Sequence, residues 1–330
     1  MKRLSKTWLT IALSSVATLG IATEARAVAI GGSDSSTSDY QKLMVPLEEL
    51  ESDDYEKLVV GGSLDGDPAD SPSDRIDPNT TTSLFAGVGS LQVGGFLCTG
   101  AAISNKHILT AAHCLDHNDN GLLDDLLPSN VTFNLNFGSN RSHRIGASAL
   151  NIHDDYTGFS NPTLNDDIAI ITLEDFLPEG VPIYNLYREG LTFGDEITFA
   201  GYGYSGNGDD GFTTGASLTR KRVGENVADT FWLDDEGSGE REIFLFDFDG
   251  PDSSTNVYGE GTLGNDREAT TGPGDSGGPS FVWKEDELYL AGVNTFSFGS
   301  GGKFGSRGGG MMVSAYADWI DTITQPVIPD

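Results

Sequence analysis

The sequence predicts an all-β fold on three observations. Short apolar runs of strand length recur from Thr82 onward, turn residues separate them, and only one late segment has an amphipathic helical pattern. Glycine is abundant, with 43 residues, and methionine scarce, with 4, a balance that suits many turns between short strands better than a helical bundle.

In chain order, Lys2, Arg3 and Lys6 give a positive start, and a mostly apolar run extends from Trp8 to Ile21. Ala25-Arg26-Ala27 then puts small residues where a signal peptidase reads, so residues 1–27 are expected to be a signal peptide and the mature chain secreted. The run is too short and too interrupted by Ser and Thr for a membrane span. An amino-terminal anchor or a buried helix is the plainer alternative. Residues 28–75 are acidic and polar, and are expected to form a propeptide or loosely attached leader, with one short helix over Leu43 to Leu50.

The strand-like runs follow: Phe85 to Val93, Ala101 to Ile103, His107 to Thr110, Val131 to Phe137, Ile168 to Leu173 and Glu196 to Ala200. Later ones are Ile243 to Phe248, Pro279 to Trp283 and Leu288 to Phe296, and Val313 to Thr324 carries the helical pattern. The formal net charge of −31 argues against a basic face for nucleic acid or anionic lipid. Neither nucleic acid nor a membrane is therefore expected as a partner. The two cysteines, Cys98 and Cys114, can oxidise into one disulfide in an exported protein.

Chemistry concentrates in three places. In Gly272-Pro273-Gly274-Asp275-Ser276-Gly277-Gly278-Pro279, glycines on both sides allow a sharp turn that presents the Ser276 hydroxyl, a nucleophile once a base takes its proton. The amides of Gly274 and Ser276 could then hold a developing oxyanion. An exposed serine on a Gly-rich hairpin is the bland reading. Leu109-Thr110-Ala111-Ala112-His113-Cys114 supplies a candidate base in His113, with small alanines that let the ring lie near backbone. His107, His117, His143 and His153 are read as structural. In Asn165-Asp166-Asp167-Ile168 a carboxylate heads an apolar strand, where it can orient a histidine; Asp167 is the better candidate and Asp166 its adjacent rival.

These stretches, TAAHC around His113, DIAII from Asp167 and GDSGGP around Ser276, in the chain order His, Asp, Ser, resemble the chymotrypsin/trypsin family of serine peptidases. Gly201-Tyr202-Gly203, Gly292-Val293 and Trp319-Ile320 extend the resemblance over about Leu84 to Ile320. It implies two packed six-stranded antiparallel β-barrels, about 76–175 and 194–312, a C-terminal helix at about 313–324, and a peptidase domain over 76–330. It also implies a Cys98–Cys114 disulfide beside His113, the cleft between barrels as the site, and substrate backbone pairing along Thr295, Phe296 and Ser297. The expected activity is that of a monomeric endopeptidase acting on proteins or peptides through a His113/Asp167/Ser276 triad and an acyl-enzyme, with no cofactor required. A serine esterase, or an inactive calcium-stabilised binding protein on the same fold, is the alternative.

Counting back from Ser276, Thr270 stands where trypsin-like enzymes carry the acid at the pocket floor, with Glu268 and Asp266 nearby if the alignment is gapped. Ser297 replaces a usual pocket-wall glycine. Uncharged side chains, not Arg or Lys, are the expected preference. Family activation buries a new α-amino group against the acid before the nucleophile, here Asp275. Arg75-Ile76 is the preferred cut, and Val59-Val60-Gly61-Gly62 the rival that looks more like a family amino terminus. Finally, Asp116, Asn118, Asn120, the Leu122 carbonyl and Asp124 or Asp125 follow the alternating oxygen pattern of a calcium loop, with Gly121 sixth. Structural calcium is expected there, and a metal-free acidic turn is the alternative.

Overall fold

The computed structural model describes residues 41–42, 44–49, 59–259, 261–299 and 301–325. The expected signal peptide, 1–27, and the opening of the acidic leader lie outside the described residues.

Six strands build the first barrel: β1 (Val88–Val93), β2 (Phe96–Ala102), β3 (His107–Thr110), β4 (Val131–Leu135), β5 (His143–Ile152) and β6 (Ala169–Leu173). They neighbour in the order β2-β1-β4-β5-β6-β3, and Ala101 and Ala102 pair with Leu109 and Ile108 to join β3 back to β2. Closure removes the exposed edges of an open sheet. Val88, Leu91, Leu97, Ile108, Phe133 and Ile170 are among the side chains buried in its core.

The second barrel uses β7 (Glu196–Gly201), β8 (Lys221–Val227), β9 (Arg241–Asp247), β10 (Pro279–Lys284), β11 (Glu287–Phe298) and β12 (Arg307–Met312). Their order is β8-β7-β10-β11-β12-β9. Side chains tie its seam: Asn226 Nδ2 donates to the Asp247 carbonyl at 2.7 Å, and the Asp247 amide to Asp229 Oδ2 at 2.9 Å. The helix α1 (Ala317–Thr324) closes the chain. It is shorter than expected because Val313 to Tyr316 is spent in the approach, whose last residue sends its hydroxyl to Glu242 Oε1 at 2.5 Å.

Three of these barrel strands had no sequence signal. β5 is partly exposed, β8 is polar yet buried at Lys221, Arg222 and Asn226, and β12 reads as a glycine loop. In β12 glycine is a packing requirement: a Cβ on Gly310 would overlap the Val293 carbonyl of β11.

The leader departs from expectation. Val59–Gly61 forms a strand parallel to Ser205–Asn207, Val59 and Val60 are fully buried, and Val60 bridges Thr270. Residues 59–75 are therefore built into the second barrel's wall, because two apolar valines bury there and Arg75 pairs with Asp70 at 2.6 Å. Nor does the expected helix form in the described part of 43–50. Val45–Pro46 is a strand on β2, and only Leu47–Glu49 turns, as a single 3-10 turn.

Candidate active site

His113 sits in the 3-10 turn Ala112–Cys114 directly after β3. Ala111 and Ala112 are buried, and the Cys98–Cys114 disulfide ties this turn to β2. β6 pairs with β3 through Ala169 and Thr110, so the residues just before β6 lie beside the histidine turn. Asp166 takes a left-handed conformation at φ 62°, and the Ile168 amide reaches back to its carbonyl at 2.7 Å. That tight turn separates the two carboxylates. Asp166 meets His153 Nδ1 at 3.0 Å, while Asp167 meets His113.

Ser276 lies where the two barrels touch. The Thr99 amide of β2 donates to the Ser276 carbonyl at 2.8 Å, and the Gly277 amide donates to the Asn294 carbonyl of β11 at 2.7 Å. Gly277 has φ 77°, and a Cβ there would collide with Thr110 Oγ1 and the Thr99 carbonyl. Only glycine lets this turn sit so close to β2 and β3.

The three side chains form one line. Asp167 Oδ1 accepts the His113 amide at 2.8 Å, Asp167 Oδ2 lies 2.6 Å from His113 Nδ1, and His113 Nε2 lies 2.7 Å from Ser276 Oγ. With the ring proton on Nδ1 donated to Asp167, Nε2 accepts from the Ser276 hydroxyl, the arrangement a general base needs. Among the described residues, neither the Gly274 nor the Ser276 amide donates to a backbone carbonyl, which leaves both for an oxyanion. Asp275 points inward, where Gly203 and Gly272 amides donate to it at 2.7 and 2.9 Å. Burial nevertheless raises its pKa to about 7, against the pull of those amides and of Arg222.

The sequence profile of the Trypsin family matches residues 79–320. The chain belongs to that family. It is 29% identical over 236 residues to the Drosophila melanogaster protein masquerade, and 29% identical over 248 residues to the Tachypleus tridentatus proclotting enzyme. It is 34% identical over 82 residues to trypsin Tyr p 3.0101 of Tyrophagus putrescentiae. These matches cover 69%, 71% and 25% of this chain, but only 20%, 59% and 26% of the relatives.

In this trypsin-family chain a pocket is lined by Phe212, Thr270, Thr271, Ser297, Phe298, Ser306 and a glycine-rich loop, without a carboxylate among the described lining residues. The hydroxyls of Thr270, Thr271 and Ser306 are buried with no hydrogen-bond partner among the described residues. Glu268 turns away, accepting from the Asp249 and Leu263 amides at 2.9 and 2.7 Å, and Asp266 is exposed. Along β11, Thr295 and Phe296 are buried, and the Phe296 ring stacks on Trp232 at 6.2 Å.

Arg75-Ile76, the expected cutting point, is held in structure. Arg75 Nε donates to Asp70 Oδ2 at 2.7 Å, its Nη atoms donate to the Arg267 and Glu268 carbonyls at 2.9 and 3.0 Å, and Ile76–Asp77 is a strand on β8. A peptidase needs an extended, reachable segment, and this one is locked in structure.

The calcium-type loop does gather donors. Asp116 accepts the Asn120 and Gly121 amides at 3.2 and 2.7 Å, and the Asn118 and Asn120 side chains meet Asp124 at 3.2 and 3.0 Å. Asp125 is exposed and Leu122 contributes its amide to Asn120 Oδ1 at 2.9 Å. Sequence reasoning missed Phe159, whose ring lies edge-on to His113 at 5.2 Å, and the Asp70–Arg75 pair. Phe159 falls in a polar, glycine-containing loop, and Asp70 among many leader acids, so neither carried a local signal.

Proposed function

We propose that this trypsin-family chain is a secreted serine endopeptidase whose catalytic residues are His113, Asp167 and Ser276. The unbroken line of short hydrogen bonds from Asp167 through His113 to Ser276 Oγ carries the reading. Ser276 Oγ attacks a peptide carbonyl as His113 Nε2 takes its proton. Asp167 holds the ring and stabilises the imidazolium. The Gly274 and Ser276 amides take the oxyanion, His113 protonates the leaving amine, and water then releases the acyl-enzyme. Exchange of His113 for alanine is expected to abolish casein hydrolysis, and retained hydrolysis would refute the mechanism. Faster turnover of simple esters with casein untouched would favour an esterase instead.

Substrates are proteins or peptides with an uncharged residue in the pocket, since Thr270, Thr271, Ser297 and Ser306 offer hydroxyls and no negative charge to a lysine or arginine. A peptide library showing strong preference for Arg or Lys would overturn this. No cofactor takes part in the chemistry. Oxygen atoms of Asp116, Asn118, Asn120 and Asp124 suit a hard cation, and calcium there would brace the wall next to His113 without joining the reaction. The enzyme acts as a monomer outside the cell. Export rests on the charged and apolar start of the chain, and no helix among the described residues is long and apolar enough to cross a membrane.

Maturation leaves Val59 as the amino terminus. Val59 is buried and pairs with Ser205, two residues beyond the Gly203 amide that holds Asp275. A new α-ammonium at Val59 would meet Asp275 in that interior and order the oxyanion turn. Amino-terminal sequencing of active protein tests this, and Ile76 as the first residue would refute it.

A further inference from the structure

Exposed apolar surface is not scattered evenly over this chain. Of the nine large hydrophobic side chains exposed among the described residues, Leu84, Ile183 and Trp283, at 54%, 42% and 47%, line one groove. The groove encloses about 410 Å³, within the range of sites that hold a ligand, and Asp286 and Glu287 also line it. Its floor is fixed before any partner arrives. The Tyr184 hydroxyl donates to the Leu84 carbonyl at 3.0 Å and accepts the Gly87 amide at 3.1 Å, and Asn185-Leu186 pairs with Tyr289-Leu290 of β11. From Leu288 in the groove to Asn294, whose carbonyl accepts the Gly277 amide, β11 covers about 20 Å of strand. The groove is therefore separate from the cleft that holds Ser276.

The turn between β10 and β11 adds charge at a conformational cost. Lys284 pairs with Glu287, so Glu285 and Asp286 are the two central residues of a hairpin, with φ 51° and 65°. Two-residue turns of this hand favour asparagine and glycine, because positive φ crowds a Cβ. Here both positions are acidic instead, and Glu285, Asp286 and Glu287 are all exposed. No lysine or arginine pairs with these three among the described residues, and the adjacent Lys284 reaches Asp195 at 3.1 Å.

We infer that this groove docks a cationic, amphipathic segment of a partner protein. Charge selects the occupant. The net charge of −31 sets a second copy of the chain against the acidic rim, and the acidic leader is repelled likewise. Anionic lipid and nucleic acid are disfavoured on the same ground. Leucine-like side chains of the partner cover Leu84, Ile183 and Trp283, which removes exposed apolar surface from water. Its arginines or lysines meet Glu285, Asp286 and Glu287, and an arginine stacks on the exposed Trp283 ring. Binding there leaves the cleft open, so the groove recruits a partner without competing for Ser276. The inference is independent of the endopeptidase reading.

Binding is measured by calorimetry on the full chain carrying Ser276→Ala, so that a peptide probe is not consumed. The probe is a synthetic hexapeptide alternating arginine and leucine, compared with an arginine–serine and a glutamate–leucine counterpart. One arginine–leucine peptide is expected to bind per chain, more weakly as salt rises, with both counterparts weaker by about tenfold or more. Adding Trp283→Ala should weaken the probe about fivefold or more. Adding Glu285→Asn/Asp286→Gly should weaken it as much while keeping or raising Tm, because that pair suits the turn. Asp175→Lys/Glu179→Lys, at two exposed acids outside the groove, should change affinity by less than about twofold. Equal binding of the arginine–serine peptide would reduce the site to diffuse charge and overturn the inference. So would absent binding, an affinity untouched by Trp283→Ala, or an equal loss in the variant at Asp175 and Glu179.

Discussion

Replacing Arg75 by glutamine separates two accounts of how the chain matures. Arg75 and Asp70 side chains are only 7% and 4% exposed, with Nη2 at 2.6 Å from Oδ2. The guanidinium also holds two carbonyls of the segment 267–268, and Asp70 Oδ2 accepts the Gly62 amide at 2.6 Å. Glutamine removes the cation and leaves a buried carboxylate uncompensated, which costs about 3–5 kcal/mol. For a domain of this size that is a fall in Tm on the order of 10 °C. The same change would block activation outright if the peptide after Arg75 were the cut. Thermal unfolding followed by tryptophan fluorescence, together with amino-terminal sequencing, reads both effects. The expected result is a lowered Tm with maturation still ending at Val59. An Arg75→Gln protein with unchanged Tm that stalls before maturation would refute the reasoning.

Replacing Cys98 and Cys114 together by serine opens a loop of sequence separation 16 and is expected to cost about 3 kcal/mol. Denaturant unfolding of the double variant checks this, and an unchanged midpoint would contradict it. A chelator is expected to lower Tm, and Asp116→Asn to blunt that response, whereas equal Tm with and without calcium would remove the cation from the account. Burial, the leading cause, raises the pKa of Asp275 and of Glu268 to about 7. The folded chain therefore holds protons that the unfolded chain releases near pH 4, so stability should fall as pH rises from about 4 to about 7. A melting series across that range tests the sign, and a Tm rising throughout would refute it.

That His113, Asp167 and Ser276 belong together was legible because each sits in a short stretch with telling neighbours: Ala111 and Ala112 before His113, Ile168 after Asp167, glycines around Ser276. Strands with a dense apolar run, such as Ala169–Leu173, were equally plain. β8 and β12 were not, since their burial depends on partners far along the chain. Lys221 owes its place to Asp77 at 3.1 Å, and Gly310 to the close backbone of Val293. Asp167 was already preferred to Asp166 from its place before Ile168, but the left-handed turn at Asp166 and the pairing of Arg75 with Asp70 had no sequence signal. Long-range pairing of the leader has no local signature at all. Nothing in Gln41-Lys42 or Val45-Pro46 announces their pairing with β11 and β2.

Labelling of matured protein with a fluorophosphonate probe, followed by mass mapping of the adduct, tests the proposed nucleophile most directly. The account predicts a single adduct on Ser276, and loss of both adduct and casein hydrolysis in Ser276→Ala. An adduct on another residue, or casein hydrolysis that survives the loss of that hydroxyl, would contradict it.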